Sequence, residues 1–126
     1  MKKLALLATL LFSVMFSSAS YAEWTKVDAD TKGNTFYVDF ERIRKVDGYV
    51  YFWDLADFLK PINKYLSAKL YRQGDCKLFR YKDLMVIWHK NNMGRGTSDN
   101  FTPPEKWKYP PPNSTIEIVL SAVCSL

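Results

Sequence analysis

The chain has 126 residues, 48% of them hydrophobic, 16% aromatic and 25% charged, with a formal net charge of +5. That length holds one small domain and excludes a multidomain enzyme. Two cysteines and a single histidine are a thin ligand set for zinc, and the modest positive charge gives no nucleic-acid footprint.

The N-terminus reads as a secretory signal peptide. Met1-Lys2-Lys3 is a short basic start, and Leu4 to Phe16 is an apolar run broken only by Thr9 and Ser13. Ser20 and Ala22 are small residues at −3 and −1 of a cut between Ala22 and Glu23. The apolar run is too short for the roughly 20 residues that a bilayer span requires. Residues 1–22 are therefore expected to be a leader and 23–126 a single exported domain without a membrane span. No cysteine lies near the cut, so no lipid anchor is expected. The leader takes two lysines with it, which lowers the net charge to +3.

The mature chain opens with alternation typical of strands. Trp24 to Asp28 and Thr35 to Phe40 flank a turn at Asp30-Thr31-Lys32-Gly33-Asn34. Ile43 to Val46 leads into Asp47-Gly48, a two-residue hairpin signal. Tyr49 to Phe58, rich in aromatic and β-branched residues, is a central strand expected to stop at Lys60-Pro61, since proline cannot donate to a ladder. Tyr65 to Tyr71 follows, with Leu66, Ala68 and Leu70 on one face and Tyr65, Ser67, Lys69 and Tyr71 on the other. Gln73-Gly74-Asp75 is a bend or bulge before Cys76. Leu78 to His89 and Thr97 to Phe101 are further strands, joined by a tight connection at residues 91–96.

The tail is different in kind. Pro103-Pro104 and Pro110-Pro111-Pro112 are extended pieces around Trp107. Ser114 and Glu117 form a capping box, and Ile116, Val119, Leu120 and Val123 make one apolar helical stripe ending at Cys124. Strands followed by one amphipathic helix give an α+β domain. The expected architecture is an antiparallel sheet of five or six strands, with the C-terminal helix packed on one face.

In an exported chain a lone cysteine pair most often forms a disulfide. Cys76 and Cys124 would then tie the helix to the sheet, at roughly 4 kcal/mol on a chain-entropy model. A metal pair or redox dithiol fits less well, because there is no CxxC.

Chemistry is sparse elsewhere. His89 is expected at the surface or a loop edge. Asp54 and Asp57, three apart in a strand, face opposite sides and read as edge or turn partners of lysine and arginine. Gly94-Arg95-Gly96 is a turn rather than a phosphate cradle. No catalytic, cofactor or metal motif is present, and no enzyme activity is expected. Basic residues instead cluster: Lys64, Lys69, Arg72, Lys77, Arg80 and Lys82 fall within 19 residues. Seventeen aromatic residues remain after the leader is removed, more than one helix can cover. Tyr49, Tyr51 and Trp53 share a strand face. Cations beside uncovered rings form a surface suited to binding an acidic partner or sulfated polysaccharide.

Taken in order, several segments resemble the surface-adhesin protein E family of Gram-negative bacteria. They are Trp24 to Val27, Phe36 to Asp39, Ile43 to Lys45, Lys64-Tyr65, Tyr71-Arg72, Asp75-Cys76, Arg80-Tyr81, Asn92 to Gly96, Trp107 to Pro111 and the Cys124 helix. The resemblance implies an antiparallel sheet with one disulfide-held helix. It also implies adhesion to host matrix or serum proteins such as vitronectin and laminin through the basic segment Lys64 to Lys82. The partner expected is thus a protein, a homodimer is compatible with the pattern, and the location is the periplasm, the cell surface or the medium. The other role open to such a chain is a soluble periplasmic ligand-binding module or envelope assembly factor.

Overall fold

The computed structural model describes residues 23–126; the leader read at 1–22 lies outside the described residues. Seven strands form one antiparallel sheet: β1 (Thr25–Ala29), β2 (Thr35–Val38), β3 (Arg44–Val46), β4 (Tyr49–Ile62), β5 (Tyr65–Asp75), β6 (Arg80–His89) and β7 (Ser98–Phe101). Their order is β1-β2-β4-β5-β6-β7, with β3 paired beside β2 along the first part of β4. Among the described residues one α-helix, α1 (Thr115–Cys124), follows the strands. Among the described residues no helix is long and apolar enough to cross a membrane.

Local chemistry fixes the turns. Asp47 (φ 52°) and Gly48 (φ 82°) both take the left-handed conformation that a two-residue hairpin needs. Asn63 (φ 47°) and Lys64 (φ 70°) do the same between β4 and β5. Strand β4 consequently runs past Pro61, beyond the stop expected at Lys60-Pro61. Regular pairing lapses between Asp57 and Ile62, so the missing N–H of Pro61 breaks no ladder bond. Strand β5 likewise continues through Gly74 to Asp75, where a bend was expected. Phe40 leaves the second strand and begins a 3₁₀ turn, Phe40–Arg42.

Alternation along β4 sorts the sheet into two faces. Val50 and Phe52 join Val38, Val119, Leu120 and Val123 in a core under α1. Further along the same face, Ala56, Phe58, Ala68 and Val86 form a second cluster with Phe36, Leu70 and Trp88 around it. The helix lies close because Gly74 has no side chain. A Cβ there would stand 2.8 Å from Val50 Cγ1 and 3.0 Å from Leu120 Cδ1.

The capping box forms at the start of α1. Ser114 Oγ accepts from the Glu117 backbone N–H at 3.2 Å, and Glu117 accepts from the Asn113 N–H, one residue earlier than the expected reciprocal partner. Thr115 Oγ1 donates to Asp28 of β1 at 2.9 Å. At the other end Cys124 is bonded to Cys76, with Cα atoms 5.6 Å apart across 48 residues of sequence. The disulfide read from the sequence is present.

Candidate binding face

Between the two core clusters the helix-side face carries charge. Arg72 Nε and Nη2 donate to Asp54 at 2.8 and 3.3 Å, and Arg72 Nη1 lies 3.2 Å from Asp83. Lys108 Nζ reaches the other Asp83 oxygen at 2.6 Å. The side chains of Arg72, Asp54 and Asp83 are only 12%, 6% and 13% exposed. Burial pushes the Asp54 carboxyl above its ordinary value, against the pull of Arg72. Asp54 is therefore a buried partner of arginine rather than an edge or turn residue. Arg72 is locked between carboxylates on the face opposite the other strand cations.

The remaining members of the basic run separate. Lys64 sits in the β4–β5 turn with its ammonium 5.7 Å from the Tyr65 ring. Lys69 points from β5 to the helix-free face, and Lys77 is exposed in the turn after Cys76. Arg80 and Lys82, two apart on β6, flank Trp107 at 4.2 and 4.5 Å from its ring centre. Arg80 also pairs with Asp75 at 2.9 Å. Asp75 is nearly buried, which would raise its pKa, but donation from Arg80 and from the Leu78 and Lys77 N–H groups outweighs burial and lowers it.

Trp107 was not singled out for binding by its sequence context. It reaches this face because Tyr81 and Lys108 exchange backbone hydrogen bonds of 2.9 and 2.8 Å, adding a short bridge to the β6 edge. Alternation across that bridge sends Lys108 to the helix side and Trp107 to the other. There Trp107 stacks on Tyr49 at 5.8 Å. Tyr71 contacts Trp53 at 4.8 Å and Tyr51 at 6.3 Å, while Arg44 lies 5.7 Å from the Tyr51 ring. The helix-free face is thus a run of half-buried rings interleaved with guanidinium and ammonium groups, as the shared parity of Tyr49, Tyr51 and Trp53 leads one to expect.

A model of the surface-adhesin protein E family matches residues 24–125. The chain belongs to the surface-adhesin protein E family. The fold agrees. A structure of Haemophilus influenzae protein E superposes with a TM-score of 0.59 at 15% identity, covering 81% of this chain and 83% of that one. A second crystal form gives 0.57 at 14%, covering 84% and 97%. Protein E from non-typeable H. influenzae gives 0.52 at 15%, covering 83% and 86%. None of the curated proteins compared matches the chain. The protein E architecture of antiparallel sheet and C-terminal helix is present here throughout, and the family is one of surface adhesins, a non-enzymatic kind of protein.

Two other expectations change. His89 stands at the loop edge where β6 ends, but it is buried at 6% exposure under the 91–96 connection rather than at the surface. Burial and then Lys69 push its pKa down, partly offset by backbone contacts to Gly96 and Arg95. Asp57 holds that connection: its Oδ1 accepts from Asn92 Nδ2 at 3.0 Å and from the Met93 N–H at 2.8 Å. Among the described residues no group of three or more histidine, cysteine or acidic side chains is placed to hold a metal ion.

Proposed function

We propose that this protein is an exported, non-catalytic adhesin that binds an acidic surface of a host matrix or serum protein through the Trp107 end of the helix-free face. The observation that supports this reading is Trp107 itself, stacked on Tyr49 and flanked by Arg80 and Lys82. Rings of this kind supply contact area, and exposed cations steer an acidic partner to them. The disulfide at Cys76 and the bridge at Lys108 hold the patch before binding, so little ordering entropy is lost on association. Lys77, exposed in the turn before β6, adds positive charge to the same segment; Arg72, sequestered behind the sheet, is not part of the patch. Display at the cell surface follows from this role.

Binding to immobilised vitronectin and laminin tests it. Changing Lys77, Arg80 and Lys82 together to serine is expected to weaken binding and flatten its salt dependence. Trp107→Ala is expected to cost on the order of 2 kcal/mol, about 30-fold in affinity. Wild type without salt-sensitive binding to either protein, or a triple variant that binds equally well, would refute the reading. Recovery of the protein only in the periplasm would favour the ligand-binding or assembly role instead.

A further inference from the structure

The β4–β5 hairpin ends in a tip that projects from the sheet. Pairing with β2 stops at Asp57 and pairing with β6 stops at Ser67, so the strand between them pairs only with itself. Leu59 to Lys64 are all exposed, Leu59 at 64% and Ile62 at 43%. The base of the tip is braced. The Leu59 N–H donates to Asn34 Oδ1 at 3.2 Å, and Asn92 Nδ2 donates to the Phe58 carbonyl at 3.0 Å. A braced tip loses little ordering entropy when it docks.

Residues 58–65 read Phe-Leu-Lys-Pro-Ile-Asn-Lys-Tyr, with two lysines and no acid. A third ammonium joins them, because Lys64 and Lys90 stand 5.7 and 4.7 Å from the centre of the same Tyr65 ring. Desolvation first and Lys64 second push the Lys90 pKa down, with Asp99 opposing. Like charges crowded on one ring repel, and an anion beside them relieves that repulsion. The acids nearby are engaged and set back from the tip. Asp99 accepts from the Tyr65 hydroxyl, and Asp57 from Asn92 and the Met93 N–H. Asp30 accepts from the Lys32 and Asn34 N–H groups of its own turn. Behind the lysines, Tyr65 meets Trp88 at 5.7 Å and Trp88 meets Phe58 at 6.3 Å.

From the tip inward the order is apolar side chain, ammonium, then tyrosine and tryptophan. A bilayer surface has the same depth profile: apolar groups enter the acyl boundary, while amines and amphipathic rings stay among the headgroups. We propose that the β4–β5 tip docks this protein reversibly on an anionic phospholipid surface. Leu59 and Ile62 enter the headgroup–acyl boundary, and Lys60, Lys64 and Lys90 meet lipid phosphates. Tyr49, which stacks on Trp107, begins β4 and Ile62 ends it, so the docked domain turns its Trp107 end away from the lipid. Docking stands whether or not that end binds a protein.

The test is sedimentation of the mature chain, residues 23–126, with vesicles of equal parts phosphatidylglycerol and phosphatidylcholine, and with phosphatidylcholine alone. Using the mature chain keeps the apolar run at Leu4 to Phe16 out of the measurement. Wild type is expected to bind the mixed vesicles at least tenfold more tightly than the neutral ones, and less tightly as salt rises. Leu59→Ser with Ile62→Ser is expected to weaken binding at least tenfold at an unchanged Tm. The same is expected of Lys60→Gln, Lys64→Asn and Lys90→Gln together; asparagine is used at position 64 because it tolerates the positive φ there. Ile62→Trp is expected to add fluorescence that brominated acyl chains quench, while the Lys77, Arg80 and Lys82 triple variant is expected to bind vesicles as wild type. No binding to the mixed vesicles, equal binding by either tip variant, no quenching of Ile62→Trp, or a loss in the Lys77, Arg80 and Lys82 variant instead would overturn the proposal. Tip variants that lose vitronectin or laminin binding but keep vesicle binding would assign the tip to a protein partner and overturn it as well.

Discussion

Replacing Arg72 with methionine tests the reading of the helix-side face most sharply. Methionine fills much of the same space but removes the cation that pairs with Asp54 among the described residues; the Asp54 side chain is 6% exposed. Asp83 keeps Lys108 as a partner at 2.6 Å, so the cost centres on Asp54. Breaking a buried pair by deleting one member costs about 3–5 kcal/mol, because the other charge stays buried and uncompensated. That is a large share of the roughly 5–15 kcal/mol typical of a domain. With a urea m-value of about 1–3 kcal/mol/M, the midpoint should fall by at least about 1 M at pH 7, followed by tryptophan fluorescence. The loss should depend on pH. Burial raises the folded-state pKa of Asp54 even with Arg72 present, and removing the guanidinium raises it further. A group with a raised folded pKa destabilises the fold while ionised and ceases to do so as it protonates. The penalty should therefore shrink as pH falls from 7 towards the ordinary aspartate range. Arg72→Met combined with Asp54→Leu should recover most of the loss, because an apolar replacement of a buried pair is often neutral or stabilising. A loss below about 1 kcal/mol, or one independent of pH, would refute the argument and return Arg72 to the surface strip.

Changing Cys76 and Cys124 to serine removes a link across 48 residues; the expected cost in urea unfolding is about 4 kcal/mol, and less than about 1 would show that the helix end is held by packing alone. Gly74→Ala should lower stability by about 1–3 kcal/mol, or roughly 4–15 °C in Tm, because the new Cβ must push aside Val50 or Leu120. An unchanged or raised Tm would mean that α1 yields without cost. His89, with its pKa depressed mainly by burial, contributes stability that is present above its unfolded pKa of about 6.5 and lost as pH falls through the folded value. The wild-type midpoint should thus drop more between pH 7.5 and 5.5 than that of His89→Gln, and parallel curves would exclude the effect.

Much of this was legible in the chain because period-two alternation is a local signal. It sorted Leu66, Ala68 and Leu70 from Tyr65, Lys69 and Tyr71, and it placed the Tyr49, Tyr51 and Trp53 rings together. The same parity puts Arg72 with Leu70 and Asp54 with Phe52, so a charged pair inside the apolar face was there to be read; the density of neighbouring cations hid it. Other features depend on register between distant segments. The shift in pairing between Tyr71 and Arg72 sets Asp83 opposite Arg72. Only the bridge at Tyr81 and Lys108 carries Trp107 to the helix-free face, and only β1–β2–β4 pairing brings Trp24 and Asp39 to Trp53. The burial of His89 was missed because it comes from a connection that Asp57 pulls over it. Proline likewise misled at Pro61, where an irregular stretch made its missing donor harmless.

The borders of the sheet bear on how the protein behaves at high concentration. Unpaired strand edges are templates on which a second chain can add, the first step towards aggregation. Here β1 is interrupted by a register shift between Lys26 and Asp28, and β3 is only three residues long. At the far side β7 has four exposed residues and places Asp99 within its short pairing stretch. The bridge from Lys108 caps β6 at Tyr81, outside the Val86–His89 stretch that β7 pairs. Each border is thus bent, charged, short or covered, which opposes strand addition by unfolded or partly folded neighbours. The broad helix-free surface can then present tyrosine and tryptophan to a partner without the sheet polymerising through its margins.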